Sequence, residues 1–355
     1  MSLSPSSGTP GALGYRMPAE WEPHEATWLI WPHDERHWPG KFETVHSIWA
    51  RMVKELETGE DVRILIHDDA VQRIAESHME SAGVSGERVH LHRFPSNFAW
   101  ARDCGPIFLK NDRGEAVLTH WSYNAWGNHW EHNLDDHVPE AVAAITGLER
   151  VAVPMVLEGG SVDVNGRGAL LTTENCLLNP NRNPDLSKEQ IEERIRIYLG
   201  VAKVLWLRGD IAGDDTSGHI DALARFVNPS TIVTIIEEDP NDENHGSLQK
   251  NLEHLKTLTD QDGHPFEIIP LPLPKPVLWN GKRLPATYAN FYIGNAVVLL
   301  PVFDDPNDAV AIEVLQKAFP DRRIAAINAR DLIWGLGAFH CVTMQQPHAT
   351  SHSKR

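Results

Sequence analysis

GHIDALARFVNPSTIVTII, residues 218–236, decides the architecture. It opens on a polar word, enters an apolar run, turns at Asn228-Pro229-Ser230, and leaves through a second apolar run. That is hairpin chemistry. The same design recurs along the chain. RDCGPIFLKNDRGEAVLTHW (102–121) turns at NDRG, LEGGSVDVNGRGALLTT (157–173) at NGRG, and YANFYIGNAVVLLPVF (288–303) at GN. The copies are spaced by roughly 50–70 residues, as in an internally repeated architecture. Helical patterns stand between them: Phe42 to Glu57, SKEQIEERIRIYLG from Ser187 with a capping box to Gln190, and DPNDAVAIEVLQKAF from Asp305. A fifth copy needs HCVTMQQP (340–347) joined to WLIWP (28–32), which closes a ring. The expectation is an α/β fold, one domain over residues 15–347, built of five ββαβ units about a pseudo-fivefold axis. Residues 1–14 and 348–355 read as tails, the first of them disordered. A generic α+β domain with hairpins is the alternative.

The bulk numbers fit a soluble globular protein. Of 355 residues, 41% are hydrophobic and 23% charged, and no apolar run reaches the roughly 18 residues of a membrane span. The N-terminus lacks the basic start and apolar stretch of a secretory signal. Three cysteines, Cys104, Cys176 and Cys341, form no CxxC pair, which argues against a disulfide framework and for a reducing cytoplasm. A net charge of −17 disfavours nucleic acid and anionic membranes and suits a cationic partner. A homo-oligomer stays open.

The residues suited to chemistry stand at the entry of each hairpin: Asp103, Glu158, His219 with Asp221, and Asn290. A ring would bring these equivalent ends together at its centre. Read as a strand, Gly218-His219-Ile220-Asp221 puts His219 and Asp221 on one face, where the carboxylate orients the imidazole. On its own an HxD word is more often structural. Asp103 and Glu158 sit among apolar residues and glycines, where burial demands a cation or donors. Arg102 is one source of that cation, pairing with Asp103 or another acid. Asp103, Glu158 and Asp221 together match a planar guanidinium, which offers five donors in a fixed fork. They suit it better than a metal, and HExxH fails because Trp28 stands where the second His belongs. Cys341 ends the word GLGAFHC (335–341). A lone Cys is usually a small buried hydrophobe. Here the glycines permit close backbone approach, and His340 with a nearby cation would stabilise a thiolate, the side chain best able to attack a resonance-stabilised guanidinium carbon.

In order, YRMPAEWEPHEATWLIWP, WARDCGP, NAWG, LEGGSVDVNG, ENCLLNPNRNP, GDDTSGHIDALARF, NFYIGN and HCVTMQQP resemble the words of the agmatine deiminase and bacterial-type peptidylarginine deiminase family, in the guanidino-group-modifying (pentein) superfamily. The resemblance runs from Tyr15 to Pro347 and implies a five-bladed α/β propeller with neither metal nor organic cofactor. It implies Cys341 as nucleophile and His219 as general acid and base. Asp103 and Asp221 would grip the guanidinium, Glu158 would orient His219, and Trp100 and Asn290 would line the pocket. The chain departs from many agmatine deiminases at GLGAFHC, where they read GGGNIHC, and at Gly213, where they carry an acid. The implied substrate is therefore a small cationic guanidine, agmatine first, with peptidyl-arginine as the alternative. Amidine transfer or plain guanidino binding is more remote. Asp214 or Asp215 would meet a distal ammonium, unless either caps a turn.

Overall fold

The computed structural model describes residues 8–350 except 210. Its strands form five sheets of one pattern. In each, two strands pair antiparallel, and a helical crossover returns a third strand parallel to the second. The second sheet shows the pattern plainly. There β4 (Ile107–Lys110) pairs with β5 (Ala116–Ser122), the helix Val138–Thr146 follows, and β6 (Glu149–Val156) lies parallel to β5. The third has β7 (Asp163–Val164), β8 (Ala169–Thr173) and β9 (Lys203–Leu207), with the crossover helix Lys188–Leu199. Its Ser187–Gln190 capping box is present as expected. The fourth has β10 (Ala224–Asn228), β11 (Thr231–Ile236) and β12 (Glu267–Pro272), crossing through His245–Leu255. A hairpin of β13 (Leu278–Trp279) and β14 (Lys282–Arg283) intervenes. The fifth has β15 (Tyr292–Ile293), β16 (Val297–Val302) and β17 (Arg323–Asn328), crossing through Asn307–Ala318.

The first sheet spans both ends of the chain. Its β1 (His24–Ile30) runs antiparallel to β18 (Met344–Pro347) and parallel to β2 (Asp61–Ile66), and β3 (Val89–Arg93) extends it. Met344 faces Trp28 and Gln346 faces Ala26, so HCVTMQQP does join WLIWP. Three of the middle strands are buried over at least five successive residues, namely β8 and the first five residues of β11 and β16. Such strands read as continuous apolar runs rather than alternations. The helix Phe42–Leu56 buries Val45, Trp49, Met52, Val53 and Leu56, a stripe at helical spacing. No helix among the described residues is long and apolar enough to cross a membrane.

Two expectations need correcting. Gly11–Leu13, assigned to the tail, form a 3-10 turn with Leu13 N–H bonded to the Thr9 carbonyl at 3.1 Å. At the other end the backbone N–H groups of His348 and Thr350 bond Pro23 and Gly114. The remaining tail residues, 1–7 and 351–355, lie outside the described residues. Second, His219 and Asp221 are not on a strand: Ile220–Ala222 is a 3-10 turn and His219 precedes it. Strand alternation therefore does not set the relation between their side chains.

Candidate active site

Each candidate stands just ahead of the first strand of its sheet. Asp103 lies on the one-turn helix Ala101–Cys104 before β4, and Glu158 precedes the 3-10 turn Gly159–Ser161 before β7. Asp221 precedes β10, Asn290 precedes β15, and Cys341 precedes β18. Gly160 marks where three of them meet. A methyl group placed there would come within 2.6 Å of His219 Nδ1, 2.8 Å of Asp103 Oδ1 and 3.0 Å of Asp221 Oδ2. Only glycine fits.

The three acids are anchored differently. Asp103 Oδ1 accepts from the Gly160 backbone N–H at 3.1 Å, and Oδ2 accepts from Trp126 Nε1 at 3.0 Å. Glu158 Oε1 accepts from Arg182 Nε at 2.7 Å. Asp221 Oδ2 lies 2.6 Å from His340 Nδ1. Their remaining acceptors are poised for something else. Among the described residues, Glu158 Oε2, Asp221 Oδ1 and both ring nitrogens of His219 are buried without a hydrogen-bond partner. Orphaned polar atoms are costly inside a protein, so the unpaired carboxylate oxygens mark a receptor for donors.

The electrostatics separate these groups. Burial pushes Asp103 up to about 6, with Asp221 and Glu158 adding to the rise and His219 opposing it. Burial also opposes the charge of Asp221 and Glu158. His340 overrides it at Asp221, and His219 with Arg182 overrides it at Glu158, so both carboxyls sit below their usual range. His219 lies 3.7 Å from Asp103 Oδ1 and 3.9 Å from Glu158 Oε2. Burial alone would lower its pKa, but Asp103, Cys176 and Glu158 raise it well above the ordinary histidine value. Burial, Asp221 and Asp103 hold the Cys341 thiol well above its normal range. The resting sulfur is therefore a thiol, directed at Asp221 Oδ2 at 3.6 Å and receiving Asn290 Nδ2 at 3.2 Å.

Asn290 does more than line a wall. Its Oδ1 accepts from the backbone N–H groups of Ala338 (3.1 Å) and Cys341 (3.3 Å), clamping the loop that carries the sulfur. The Trp100 ring lies against that loop. A methyl group on Gly337 would come 2.6 Å from Trp100 Cζ3 and 3.1 Å from Cys341 Sγ. A cavity of about 220 Å³ opens above the sulfur, walled by Trp100, Trp126, Trp130, Trp279 and Trp334, with Asp103 and Asp215 reaching it. Asp214 and Asp215 divide their roles. Asp214 caps its turn, accepting from the backbone N–H groups of Thr216 (3.1 Å) and Gly218 (2.6 Å). Asp215 faces the cavity, raised to about 6 by burial and by Asp214.

Several contributors escaped the sequence reading. Arg102 pairs with another acid than Asp103, as the sequence allowed: Glu20, at 3.1 Å, a residue the sequence reading did not single out. His340 does not turn to the sulfur; its ring joins Asp221 to Glu20. Trp126 sits in a run of left-handed residues, Ala125 (φ 47°), Trp126 (58°), Gly127 (100°) and Asn128 (63°). Such a run costs about 1–2 kcal/mol per non-glycine residue. It is capped by Asn124 Oδ1 accepting from the Gly127 N–H at 2.9 Å, and it delivers the indole N–H to Asp103. Cys176 lies beside His219 and Glu158, with the three donor atoms within 4.8 Å of one another. That trio suits a metal poorly. Arg182 already occupies Glu158, and burial raises the Cys176 thiol.

The chain is similar along nearly its whole length to known deiminases. The family model described as Porphyromonas-type peptidyl-arginine deiminase matches residues 16–347. A solved structure described as an agmatine deiminase of Enterococcus faecalis is 32% identical, with a TM-score of 0.90 over 96% of this chain and 98% of that one. A C. jejuni agmatine deiminase variant with substrate bound is 31% identical, with a TM-score of 0.87 over 95% and 97%. A curated relative from Vibrio parahaemolyticus, provisionally named agmatine deiminase, is 36% identical over 96% of this chain and 99% of its own. The chain belongs to the Porphyromonas-type peptidyl-arginine deiminase family.

Proposed function

We propose that the enzyme hydrolyses the guanidinium of agmatine to a ureido group, giving N-carbamoylputrescine and ammonia through a covalent intermediate on Cys341. The observation that carries this is the pair of orphaned buried acceptors, Glu158 Oε2 and Asp221 Oδ1, in a carboxylate cluster that reaches Cys341, where a tryptophan-walled cavity opens. A planar cation supplies the donors this set lacks. The relatives named for agmatine deimination point the same way.

The chemistry follows from the charges. A guanidinium seated among Asp103, Glu158 and Asp221 offsets the repulsion that keeps Cys341 protonated, so substrate binding favours the thiolate, and the thiol proton passes to solvent through the cavity at the sulfur. The sulfur adds to the guanidinium carbon, forming a tetrahedral adduct. His219, already charged, protonates one nitrogen, the C–N bond breaks, and ammonia leaves an S-linked amidinium. The neutral imidazole then takes a proton from water as the hydroxyl adds to the same carbon. Collapse breaks the C–S bond, the hydroxyl proton passes to the departing sulfur to restore the resting thiol, and the neutral ureido product is released. Asp215, at the cavity wall, is placed to read a distal ammonium, and the tryptophan faces favour a cation.

The same reading extends beyond the site. Five sheets of one strand order, with their candidate residues all ahead of the first strand, support a five-bladed α/β propeller about a pseudo-fivefold axis. Three unpaired cysteines support a cytoplasmic location, and the product supports a place in putrescine synthesis. The family model's description favours a second reading, peptidyl-arginine deimination. Ammonia release from agmatine, free arginine and an internal-arginine peptide tests both. Agmatine is expected to lead, with Cys341→Ser inactive and an amidine-sized adduct trapped on Cys341. A peptide turned over faster than agmatine selects the second reading.

A further inference from the structure

Beneath Asp221 lies a closed set of buried charges. Glu20 Oε1 accepts from Arg225 Nη2 at 2.9 Å and from the Ile293 backbone N–H at 2.8 Å. Glu20 Oε2 accepts from Arg102 Nη2 at 3.1 Å and lies 2.8 Å from His340 Nε2. Arg102 Nε also donates to the His340 carbonyl at 3.2 Å, and Arg225 Nε lies 3.5 Å from Asp163. Asp163 in turn accepts from the Phe226 backbone N–H at 2.6 Å. All six side chains, Glu20, Arg102, Asp163, Asp221, Arg225 and His340, belong to buried residues.

His340 is the link whose state decides the rest. Each of its ring nitrogens faces a carboxylate oxygen, and carboxylates only accept. A neutral imidazole has one N–H and would leave one of these buried contacts acceptor against acceptor. A doubly protonated ring satisfies both, and three cations then balance three acids. Burial opposes the charge on Glu20, but Arg225, His340 and Arg102 hold it well below the usual carboxylate range.

We propose that His340 is a positioning residue for the reaction: a buried imidazolium, braced by Glu20, that pins Oδ2 of Asp221 and leaves Oδ1 aimed at the bound guanidinium. This rests on the deiminase reading above. The arrangement works like a strut. Glu20 comes from the segment ahead of β1, His340 from the loop ahead of β18, and Asp221 from the turn ahead of β10, so the strut ties three chain segments to one carboxylate. Cys341 follows His340 directly, so the strut also fixes the backbone that presents the sulfur.

The direct test is ¹⁵N NMR of the histidine-labelled full chain, with His340 assigned by its loss in His340→Asn or its perturbation in Glu20→Gln. Because each ring nitrogen faces a carboxylate oxygen, both are expected to carry a proton under the conditions of the kinetic assay. A His340 ring with one protonated and one bare nitrogen under those conditions overturns the proposal. The kinetic test uses agmatine. His340→Asn is expected to lower kcat at least about a hundredfold and to move the acid limb of kcat/KM to higher pH, because Asp221 loses its cation. Glu20→Gln should move the limb in the same direction by less. Folded variants that keep the wild-type pH profile overturn the proposal, whatever their loss of rate. The NMR result does not depend on turnover, so an inactive wild type would defeat the deiminase reading while leaving the state of His340 measurable.

Discussion

Asp103 and Asp221 flank the same point beside Gly160, yet they are held by opposite means. Asp103 is fixed by two neutral donors, the Trp126 indole and the Gly160 backbone N–H. Asp221 is fixed by the His340 ring, backed by Glu20. Dipoles orient a carboxylate without settling its charge, and burial carries Asp103 up to about 6. The imidazole does both, and Asp221 stays below its usual range against the same burial. One flank of the site is thus committed to negative charge, while the other stays able to take a proton within reach of neutral pH. A receptor for a cation uses both, because three fixed charges in one dry pocket would repel one another without substrate.

The largest effect should come from disturbing the committed flank. Asp221→Asn is expected to lower kcat/KM for agmatine by at least about ten thousandfold, some 5.5 kcal/mol, because the strut then ends on an amide whose nitrogen cannot accept. Asp103→Asn should cost less, about a hundred- to a thousandfold. A reversed order would break the comparison.

Stability separates the flanks by pH. Asp103 binds its proton more tightly folded than unfolded, so between about pH 4 and about pH 6 it makes stability fall as pH rises. The penalty is complete above about 6 and is on the order of 3 kcal/mol for a shift of this size. Asp103→Asn should lack that slope, so thermal unfolding across the window is expected to favour the variant progressively over wild type. Asp221 runs the other way. Its depressed pKa stabilises the fold above the unfolded value, and that contribution is lost as pH falls through the folded one. A wild-type slope retained in Asp103→Asn would assign it to another raised carboxyl, Asp135 (about 7) first and Asp215 (about 6) next.

Trp126→Phe removes one of the two neutral donors to Asp103. About a tenfold loss of kcat/KM is expected, with the acid limb moving to higher pH as Asp103 climbs further. A pH-rate profile checks it, and an unmoved limb would mean that the Gly160 N–H alone sets that carboxyl. The smallest effect is at the cavity wall. Asp215→Asn should leave the turnover of a minimal guanidine nearly unchanged and reduce the preference for agmatine by about five- to tenfold, a partly screened charge contact. Asp214→Asn should instead lower thermal stability through its turn, with little change in preference.

Much of this was legible in the sequence. The four turn words and the split fifth copy located the sheets, and the residues ahead of each first strand located the site. Those signals are local, carried by turn chemistry and short apolar runs. The HxD word misled because strand and 3-10 turn share the same four residues, and Asp221 therefore serves His340 where His219 was expected. Glu20 was invisible for a different reason. Its partners lie 82, 205, 273 and 320 residues away, so nothing near it announces the network. The left-handed run at NAWG was hidden too, because three of its four residues are not glycine and are held there by Asn124 and the surrounding fold.

The pairing of β1 with β18 also sets the order in which the enzyme can come into being. A ribosome delivers β1 early and β18 only after more than three hundred further residues, so through nearly all of synthesis one edge of the first sheet stays without its neighbour. Glu20 waits over the same interval for His340. The last stretch to emerge carries the sheet's missing edge, the strut and the sulfur together. A nascent or prematurely ended chain therefore holds most of the scaffold and none of the proposed chemistry, so activity appears in a single late step.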